Sequence, residues 1–282
     1  MNPNQKLHWL TAVTSLTLAA PASAALLLTD DFTATSNVRA GALEHNIANR
    51  QGGSLATTDY TTGTGANPNV QLGNTTTLRS GGDGDYLLLA FNGRASLNQN
   101  FNGTLSAGGL EMTFDVSANF RTTNQTNWTA LNIGMSQTDQ TTTVNGGSEH
   151  FGFLFRGNGG TQGFDGSSVL VGSEVSWSTV AEGGADNFDS IRVLFTDPTD
   201  DNPFDGVGET KIEIFSALIS GGITPIYTHT KTGGGYADNY INFTSNDIGG
   251  IDNLSIRQIP EPSACVFLMG TAGMLLRRKR NR

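Results

Sequence analysis

The feature that most constrains the fold of this 282-residue chain is an alternation of apolar and polar residues, interrupted at short intervals by glycine and asparagine. Successive side chains of a β-strand point to opposite faces, so an alternation with a period of two is typical of strands buried on one side. Between residues 25 and 259, no stretch of normal helix length has the i, i+3, i+4, i+7 spacing of an amphipathic helix. This part of the chain is therefore predicted to be all-β.

The alternation predicts eleven strands, separated by turn-forming segments such as Asn145-Gly146-Gly147 and Gly233-Gly234-Gly235. The predicted strands are Leu26–Phe32, Tyr86–Phe91, Ala95–Phe101, Leu110–Ser117, Trp128–Met135, Phe151–Phe155, Ser190–Phe195, Lys211–Ala217, Ile223–Thr228, Tyr240–Phe243 and Ile251–Ile256. Short strands in this number predict two stacked sheets, and a jelly-roll sandwich satisfies the count. Residues 36–80 are weakly patterned and are expected to form long irregular loops on the sandwich.

The first 24 residues have the three parts of a secretory signal peptide. Lys6 supplies positive charge together with the amino terminus, the stretch from Leu10 to Ala20 is mostly apolar, and Ala22-Ser23-Ala24 forms a small-x-small cleavage site. The apolar stretch is too short to cross a bilayer comfortably, because a membrane helix needs roughly 20 apolar residues. Cleavage after Ala24 and export of the rest of the chain are therefore predicted.

The last residues combine a short motif, an apolar segment and a basic end. The motif is Pro260, Glu261 and Pro262, and its prolines require the apolar helix to begin after them. Residues 263–276 carry no charge and are predicted to form a short hydrophobic helix. The basic residues after them are Arg277, Arg278, Lys279, Arg280 and Arg282. These cations resist translocation, so residues 25–259 are expected outside and the basic end inside. Because the helix is short for a membrane span, a temporary tether is favoured over a permanent anchor.

The motif, the apolar helix and the arginine-rich end together resemble the PEP-CTERM sorting signal of Gram-negative bacteria. The resemblance covers residues 260–282 and implies recognition and cleavage by an exosortase, a membrane-embedded cysteine-type transpeptidase. Carriers of this signal are associated with exopolysaccharide production and biofilm matrix. The resemblance therefore implies tethering at the cell envelope, followed by a place at the cell surface or in the extracellular matrix. The predicted organisation is a signal peptide (1–24), an exported domain (25–259) and a sorting tail (260–282).

The two ends of the exported domain carry a second resemblance. Thr29-Asp30-Asp31-Phe32 opens the domain, and the segment 249–256, Gly-Gly-Ile-Asp-Asn-Leu-Ser-Ile, closes it. They resemble the ends of laminin-G and concanavalin-A-like jelly rolls, whose closing strand pairs near the first strand. The resemblance implies a single concanavalin-A-like sandwich. Members of that superfamily include carbohydrate-binding proteins, some of which use calcium, and glycoside hydrolases, and the fold does not select among these activities.

Charge limits the partners of the exported domain. Residues 25–259 hold 24 of the 25 acidic residues and ten of the sixteen basic residues, which gives a net charge of 10 − 24 = −14. An acidic surface argues against nucleic acid and anionic lipid as partners. It is compatible with neutral glycans and with divalent cations. The single cysteine, Cys265, lies in the tail, so the exported domain contains neither a disulfide nor a cysteine nucleophile.

The densest acidic cluster is the predicted loop 197–209. Its carboxylate and amide side chains are Asp197, Asp200, Asp201, Asn202, Asp205 and Glu209. Calcium takes six to eight oxygen ligands, so the loop is a candidate calcium site. The alternative is a solvated acidic turn, since Asp, Asn and Pro are turn-forming residues. The loop is not an EF-hand, because Pro203 and Ile212 occupy the third and twelfth positions counted from Asp201.

No catalytic residue is predicted. The sequence contains no Gly-x-Ser-x-Gly, His-Glu-x-x-His or Walker motif. Glu111 and Asp115 share one strand face, but no third acid completes the Glu-x-Asp-x-x-Glu-like pattern of jelly-roll glycoside hydrolases. For stacking on sugar rings, Tyr60 and Tyr236 in glycine- and threonine-rich loops are better candidates for exposure. Trp128 and Trp177 lie in strand-like contexts and are expected in the core, as are most aromatic residues of strands.

Three hypotheses about function remain open at this point. The first is a non-catalytic envelope or extracellular-matrix protein that binds polysaccharide. The second is a glycan-acting enzyme of the glycoside hydrolase type, and the third is a structural surface protein without a ligand. The expected partners are an exosortase-type processing enzyme and extracellular polysaccharide, and nucleic acid is not expected.

Overall fold

The computed structural model describes most of residues 25–259. The described residues are 24–32, 60–62, 70–73, 86–90, 93–97, 99–102, 108–118, 127–135, 149–177, 188–199, 202–236, 238–246 and 248–259. They all belong to one unit, Ser23–Pro262. Among them, no helix has the length and the apolar composition that a membrane span requires. The predicted signal peptide, apart from Ala24, and the sorting tail lie outside the described residues.

Fifteen strands and one short 3-10 turn, Ser220–Gly222, make up the described secondary structure. The strands are β1 (Ala25–Asp30), β2 (Tyr60–Thr62), β3 (Val70–Gly73), β4 (Tyr86–Ala90), β5 (Arg94–Leu97), β6 (Gly109–Ser117), β7 (Trp128–Met135), β8 (Phe151–Arg156), β9 (Thr161–Asp165), β10 (Ser168–Val169), β11 (Asp189–Thr196), β12 (Glu209–Ser216), β13 (Tyr227–Thr232), β14 (Tyr240–Asn246) and β15 (Ile248–Ile259).

The strands form two antiparallel sheets. The eight-stranded sheet has the order β13-β12-β11-β6-β15-β4-β3, with β1 added against β15. The seven-stranded sheet has the order β10-β9-β8-β7-β14-β5-β2. Neighbours within a sheet are often distant in sequence, as β6 and β15 are, so the chain crosses repeatedly from one sheet to the other. The predicted all-β sandwich of two antiparallel sheets is confirmed.

The core lies between the two sheets and takes alternate residues from each strand. In β6, Met112, Phe114 and Val116 are at most 1% exposed, whereas the residues between them are half-buried. The ring of Phe114 packs edge-on against those of Phe155 and Phe243 on the opposite sheet, with centroids 6.2 and 5.3 Å away. Each such side chain contributes about 1.5–3 kcal/mol by its burial. Aromatic packing between the sheets therefore holds the sandwich together.

The closing strand β15 joins several parts of the eight-stranded sheet. It pairs with β6 along its length, while on its other side residues 248–251 pair with β4 and residues 254–258 pair with β1. A shift in register separates the two halves at Asn253, whose φ of 49° is left-handed. Such a β-bulge bends the strand and changes the direction of its side chains. The expectation that the closing strand pairs with the first strand is confirmed.

Two hydroxyl groups fasten one sheet to the other, and we call this pair the hydroxyl clamp. Thr129 of β7 donates to the Ser117 carbonyl of β6 over 2.6 Å, and Ser245 of β14 donates to the Leu89 carbonyl of β4 over 2.9 Å. Thr129 and Ser245 are direct cross-strand partners. They straddle β15, which lies between β6 and β4, and a Cβ atom at Gly249 of β15 would stand 1.9 Å from Thr129 Oγ1. Only glycine leaves room for this approach of the two sheets.

The structure corrects the predicted strands in three places. The short strands β2 and β3 lie within residues 36–80, where only loops were expected. The β9–β10 hairpin was missed, because glycine interrupts its pattern. The strand predicted at Ile223–Thr228 begins instead at Tyr227 and ends at Thr232. Ile223 suggested a strand by its apolar character, but it follows the 3-10 turn and is 82% exposed.

The hydroxyl clamp predicts that Gly249→Ala destabilises the domain by about 3 kcal/mol, near the upper end of the usual cost of overpacking. The added methyl group would collide with Thr129 Oγ1 and force the sheets apart. The midpoint of urea unfolding measures this loss. Gly160→Ala is the control, because its new methyl group would meet only the Asn158 side chain, at 3.2 Å. Equal stability of the two variants would contradict the clamp.

Candidate functional site

The surface of the seven-stranded sheet that points away from the core carries the best candidate site, and we call it the outer face. Residues directly opposite each other on antiparallel strands share a face. Trp128 of β7 lies opposite Arg156 of β8 on one side and Asn246 of β14 on the other. The next row contains Ala130 opposite Leu154. An aromatic ring and a guanidinium group therefore lie side by side on this face.

A small apolar cluster supports the indole of Trp128. Ala130, Leu154 and Phe164 on the outer face are 0–6% exposed and pack together, and Trp128 packs against them while remaining half-buried. The indole is thus held from below and retains contact with solvent. A supported, partly exposed aromatic ring is a platform on which a flat apolar surface can stack.

A polar pocket of about 430 Å³ adjoins this platform at Arg156. Its lining residues are Arg156, Asn158, Gly160, Thr161, Glu174, Val175 and Ser176. Asn158, Glu174 and Ser176 are exposed, and Arg156 is half-buried. The pocket therefore offers hydrogen-bond donors and acceptors side by side, next to an aromatic ring.

A series of hydrogen bonds connects the polar side chains of the pocket and fixes their positions. Arg156 Nη2 donates to Gln162 Oε1, and Gln162 Nε2 donates to Glu174 Oε1 over 3.3 Å. Arg156 Nε is buried and has no hydrogen-bond partner among the described residues. A buried donor without a partner carries a free-energy cost of about 1–3 kcal/mol. Gln162 thus orients the guanidinium of Arg156, which lines the pocket, whereas the buried Nε is closed to a ligand.

Hydrogen bonds to backbone carbonyls hold the segment before Trp177 at one side of the pocket. Thr161 Oγ1 donates to the Ser173 carbonyl over 2.6 Å, and Thr161 N donates to the Val175 carbonyl over 2.9 Å. The indole nitrogen of Trp177 donates to the Arg156 carbonyl over 3.0 Å. These bonds hold residues 173–177 beside β9. No strand was predicted between Phe155 and Ser190, so the hairpin on which the pocket is built was missed.

A row of buried polar residues crosses the middle of the outer face. Ser96, Asn242 and Asn132 are consecutive cross-strand neighbours and are 0–1% exposed. Ser96 Oγ, Asn242 Nδ2 and Asn132 Oδ1 have no hydrogen-bond partner in the part of the chain that the structure describes. Groups of this kind commonly hold an ordered water molecule. Because they are closed to solvent, we do not count them as part of the accessible site.

A second group of charged residues lies where the edge strand β13 faces the seven-stranded sheet. Lys231 Nζ lies 3.6 Å from Glu149 Oε2 and 3.9 Å from Asp165 Oδ1, and His229 Nε2 lies 3.9 Å from Asp165 Oδ2. The His229 ring stacks on Phe151, with centroids 5.5 Å apart. Burial lowers the pKa of His229, and the nearby Asp165 charge only partly offsets this effect. Burial thus favours the uncharged form of the His229 imidazole.

The position of these charges favours a structural role. β13 is the outermost strand of its sheet. Its odd-numbered residues Tyr227, His229 and Lys231 are half-buried, and its threonines are exposed. Inward-pointing charges on an edge strand hinder pairing with another chain, because pairing would bury them further. This cluster therefore protects an edge of the sandwich and is a weaker candidate for a ligand site than the outer face.

The predicted calcium loop is only partly described, because Asp200 and Asp201 lie outside the described residues. Asp197 Oδ1 accepts bonds from the Thr199 amide and hydroxyl at 2.6 and 2.5 Å, and its Oδ2 accepts the Glu209 amide at 2.8 Å. Asn202 and Asp205 each accept an amide two residues ahead of them. Among the described residues, no three His, Cys, Asp or Glu side chains are grouped to hold a metal ion. Calcium at this loop stays a prediction.

The carboxylate pair considered for catalysis lies on the eight-stranded sheet, away from the outer face. Glu111 and Asp115 are four residues apart on β6, a separation of about 13 Å along a strand. Glycoside hydrolases hold their two carboxyl groups about 5–10 Å apart. Glu111 lies 3.7 Å from Arg192, and Asp115 accepts hydrogen bonds from Ser190 and Asn253. The structure does not bring these two acids together.

The expected exposure of the aromatic residues was wrong for three of them. Tyr60 and Tyr236 were favoured as exposed rings but are 8% and 5% exposed. Burial raises the pKa of Tyr236, as do the charges of Asp165 and Glu149. Trp128 was expected in the core but lies half-buried on the outer face, whereas Trp177 is in the core as predicted. The alternation places Trp128 on a strand but does not reveal which face of that strand points outward.

Comparison with known proteins leaves the family open. No protein-family model matches the sequence, and no curated protein matches it either. Among solved structures, the receptor-binding domain of botulinum neurotoxin D is similar at 13% identity, with a TM-score of 0.41 over 77% of this chain and 48% of that chain. This chain thus spans about half the length of the neurotoxin domain.

Two further solved structures are similar at comparable levels. The carbohydrate recognition domain of Emp46p matches at 13% identity, with a TM-score of 0.45 over 70% of this chain and 87% of that chain. Arcelin-5, a lectin-like defence protein from Phaseolus vulgaris, matches at 10% identity, with a TM-score of 0.38 over 73% of this chain and all of its own. At these levels of similarity, function must be argued from the residues of the chain itself.

The acidic loop predicts stabilisation by calcium. Adding calcium at about a hundred times its dissociation constant to chelator-treated protein should stabilise the fold by about 2.7 kcal/mol. The melting temperature should then rise by several degrees. The double variant Asp200→Asn/Asp201→Asn should lose this rise, and Glu149→Gln, which removes an exposed acid elsewhere, should keep it. An unchanged melting temperature of the unaltered protein would contradict the calcium prediction.

Proposed function

We propose that this chain is a non-catalytic polysaccharide-binding protein of the cell envelope or extracellular matrix, and that it holds its ligand on the outer face at Trp128 and Arg156. The observation that carries the proposal is the half-buried indole of Trp128, supported by an apolar cluster and placed directly beside a polar pocket. An aromatic platform next to fixed polar groups is the combination that a sugar requires.

The chemistry of a sugar ring accounts for each part of this surface. One side of a pyranose carries several C–H groups and is apolar enough to stack on an indole. Its hydroxyl groups both donate and accept hydrogen bonds, as hydroxyls generally do. Arg156 supplies donors to such groups and Glu174 supplies an acceptor, while Asn158 and Ser176 supply both. The ligand would therefore lie across Trp128 with its hydroxyl groups directed into the pocket.

The proposed role is non-catalytic because Glu111 and Asp115, the acidic pair considered from the sequence, are not spaced like the two catalytic acids of a glycoside hydrolase. About 13 Å separates Glu111 from Asp115 along β6, and both lie on the other sheet. On the outer face, Glu174 lines the pocket next to an arginine and not next to a second acid. Binding without cleavage fits this arrangement.

The proposed location follows from the two ends of the sequence. The leader 1–24 directs export, and the Pro260-Glu261-Pro262 motif with its apolar and basic segments resembles a PEP-type sorting signal. An exosortase-type enzyme would release the domain from its tether at the envelope. An exported domain that binds polysaccharide would then remain with the extracellular matrix that surrounds the cell.

The binding site predicts that Trp128→Ala and Arg156→Gln each weaken polysaccharide binding by about tenfold, which corresponds to about 1.4 kcal/mol. The first variant removes the stacking platform, and the second removes the fixed donors. Affinity electrophoresis of the full chain through gels containing β-glucan, dextran, xylan, alginate or polygalacturonate measures the binding constants.

Lys211→Gln is the matched control for Arg156→Gln, because it removes one positive charge on the eight-stranded sheet. It should leave binding unchanged. The melting temperature of each variant shows whether Trp128→Ala acts through stability. If both outer-face variants bind as tightly as the original protein, the ligand lies elsewhere.

The sorting tail predicts that replacing Pro260, Glu261 and Pro262 with alanine leaves full-length, unprocessed protein in the membrane fraction of its natural host. The motif is expected to be the part that the processing enzyme recognises, while the apolar and basic segments still hold the chain in the membrane. Immunoblots of membrane and extracellular fractions measure the distribution. Normal processing and release of the triple variant would overturn the proposed role of the motif.

A further inference from the structure

We propose, on the basis of the proposed function, that the outer-face site selects uncharged polysaccharides and that Glu174 is the residue that rejects acidic ones. Of the described residues that line the pocket, Arg156 is the single cation and Glu174 the single anion. The formal charge of the pocket is therefore zero.

Arg156 alone would make the pocket a site for carboxylates. A guanidinium binds a carboxylate through two parallel hydrogen bonds, which makes arginine the preferred residue for acidic groups. Among the described residues, Arg156 forms no ion pair, and its guanidinium donates one hydrogen bond, from Nη2 to Gln162. Without a nearby negative charge, a uronic acid residue of a polysaccharide would find a partner here.

Glu174 supplies that negative charge through a fixed connection. Its Oε1 accepts a hydrogen bond from Gln162, whose own Oε1 accepts a hydrogen bond from Arg156. The side-chain amide of Gln162 therefore connects the Glu174 carboxylate to the Arg156 guanidinium, and both charged groups line the same pocket. A carboxylate that enters to bind Arg156 must approach Glu174, and like charges at such short range repel each other.

An uncharged sugar meets no such repulsion. A hydroxyl group can accept from Arg156 and donate to Glu174 at the same time, because it contains both a donor and an acceptor. The negative charge of the whole domain acts in the same direction as Glu174, but salt screens it beyond about 8–10 Å. The repulsion between Glu174 and an acidic sugar is the part of this selectivity that a single substitution can remove.

Affinity electrophoresis of the full chain at low salt tests this selection, with β-glucan as the uncharged probe and polygalacturonate as the acidic probe. Glu174→Gln should bind polygalacturonate about tenfold more tightly than the unaltered protein and should gain no affinity for β-glucan, because an uncharged sugar is not repelled by the carboxylate. Adding Arg156→Gln to this variant should abolish the gain. Glu174 is exposed and glutamine has nearly the same shape, so the fold should be unaffected, which the melting temperature verifies.

Glu213→Gln is the matched control, since it removes one negative charge from the eight-stranded sheet and leaves the pocket intact. If Glu213→Gln gains as much affinity for polygalacturonate as Glu174→Gln does, overall charge is responsible and the proposal is wrong. It is also wrong if Glu174→Gln gains nothing, or if the unaltered protein prefers the acidic probe. Failure of the unaltered protein to bind any polysaccharide of the panel would instead overturn the proposed function.

Discussion

The rest of the structure depends on the hydroxyl clamp that joins the two sheets. Thr129 and Ser245, side by side on the seven-stranded sheet, each donate to a carbonyl of the eight-stranded sheet at 2.6 and 2.9 Å. The close approach requires glycine at position 249 of the closing strand. The clamp thus fixes the spacing of the sheets at the point where the closing strand β15 lies between β6 and β4. The residue next to Thr129 is Trp128, so the proposed ligand platform adjoins the clamp.

Different parts of the sandwich use polar residues for different purposes. At the clamp, buried hydroxyl groups bind backbone carbonyls and set the distance between sheets. At the edge strand β13, His229 and Lys231 point inward toward Asp165 and Glu149 and hinder pairing with other chains. On the outer face, Arg156 and Glu174 stand in an open pocket beside an aromatic ring. Only this last group combines solvent access, fixed geometry and an apolar surface, which together suit a carbohydrate ligand.

The all-β sandwich could be predicted from the sequence, because an alternation of apolar and polar residues with a period of two indicates a β-strand. The bounds of Trp128–Met135 were predicted correctly, and the pairing of the closing strand with the first strand was predicted from the segment around Ile251. The site itself was not predicted. Alternation assigns Trp128 to a strand but not to the inner or the outer face, since the two faces are distinguished only by what packs on them. The pocket also joins residues 156–162 to residues 174–176 through hydrogen bonds that no sequence spacing reveals.

The central claim is that Trp128 contacts the polysaccharide, and the indole N–H signals of the protein test it directly. The sequence contains three tryptophans, Trp9, Trp128 and Trp177, so a nitrogen-15 correlation spectrum of the full chain has few indole peaks to assign. Titration with a soluble oligosaccharide of the bound glycan should shift the Trp128 peak in a saturable manner and leave that of Trp177 in place, because Trp177 is buried and donates to the Arg156 carbonyl. A Trp128 peak that stays fixed while the glycan saturates the protein would contradict the account.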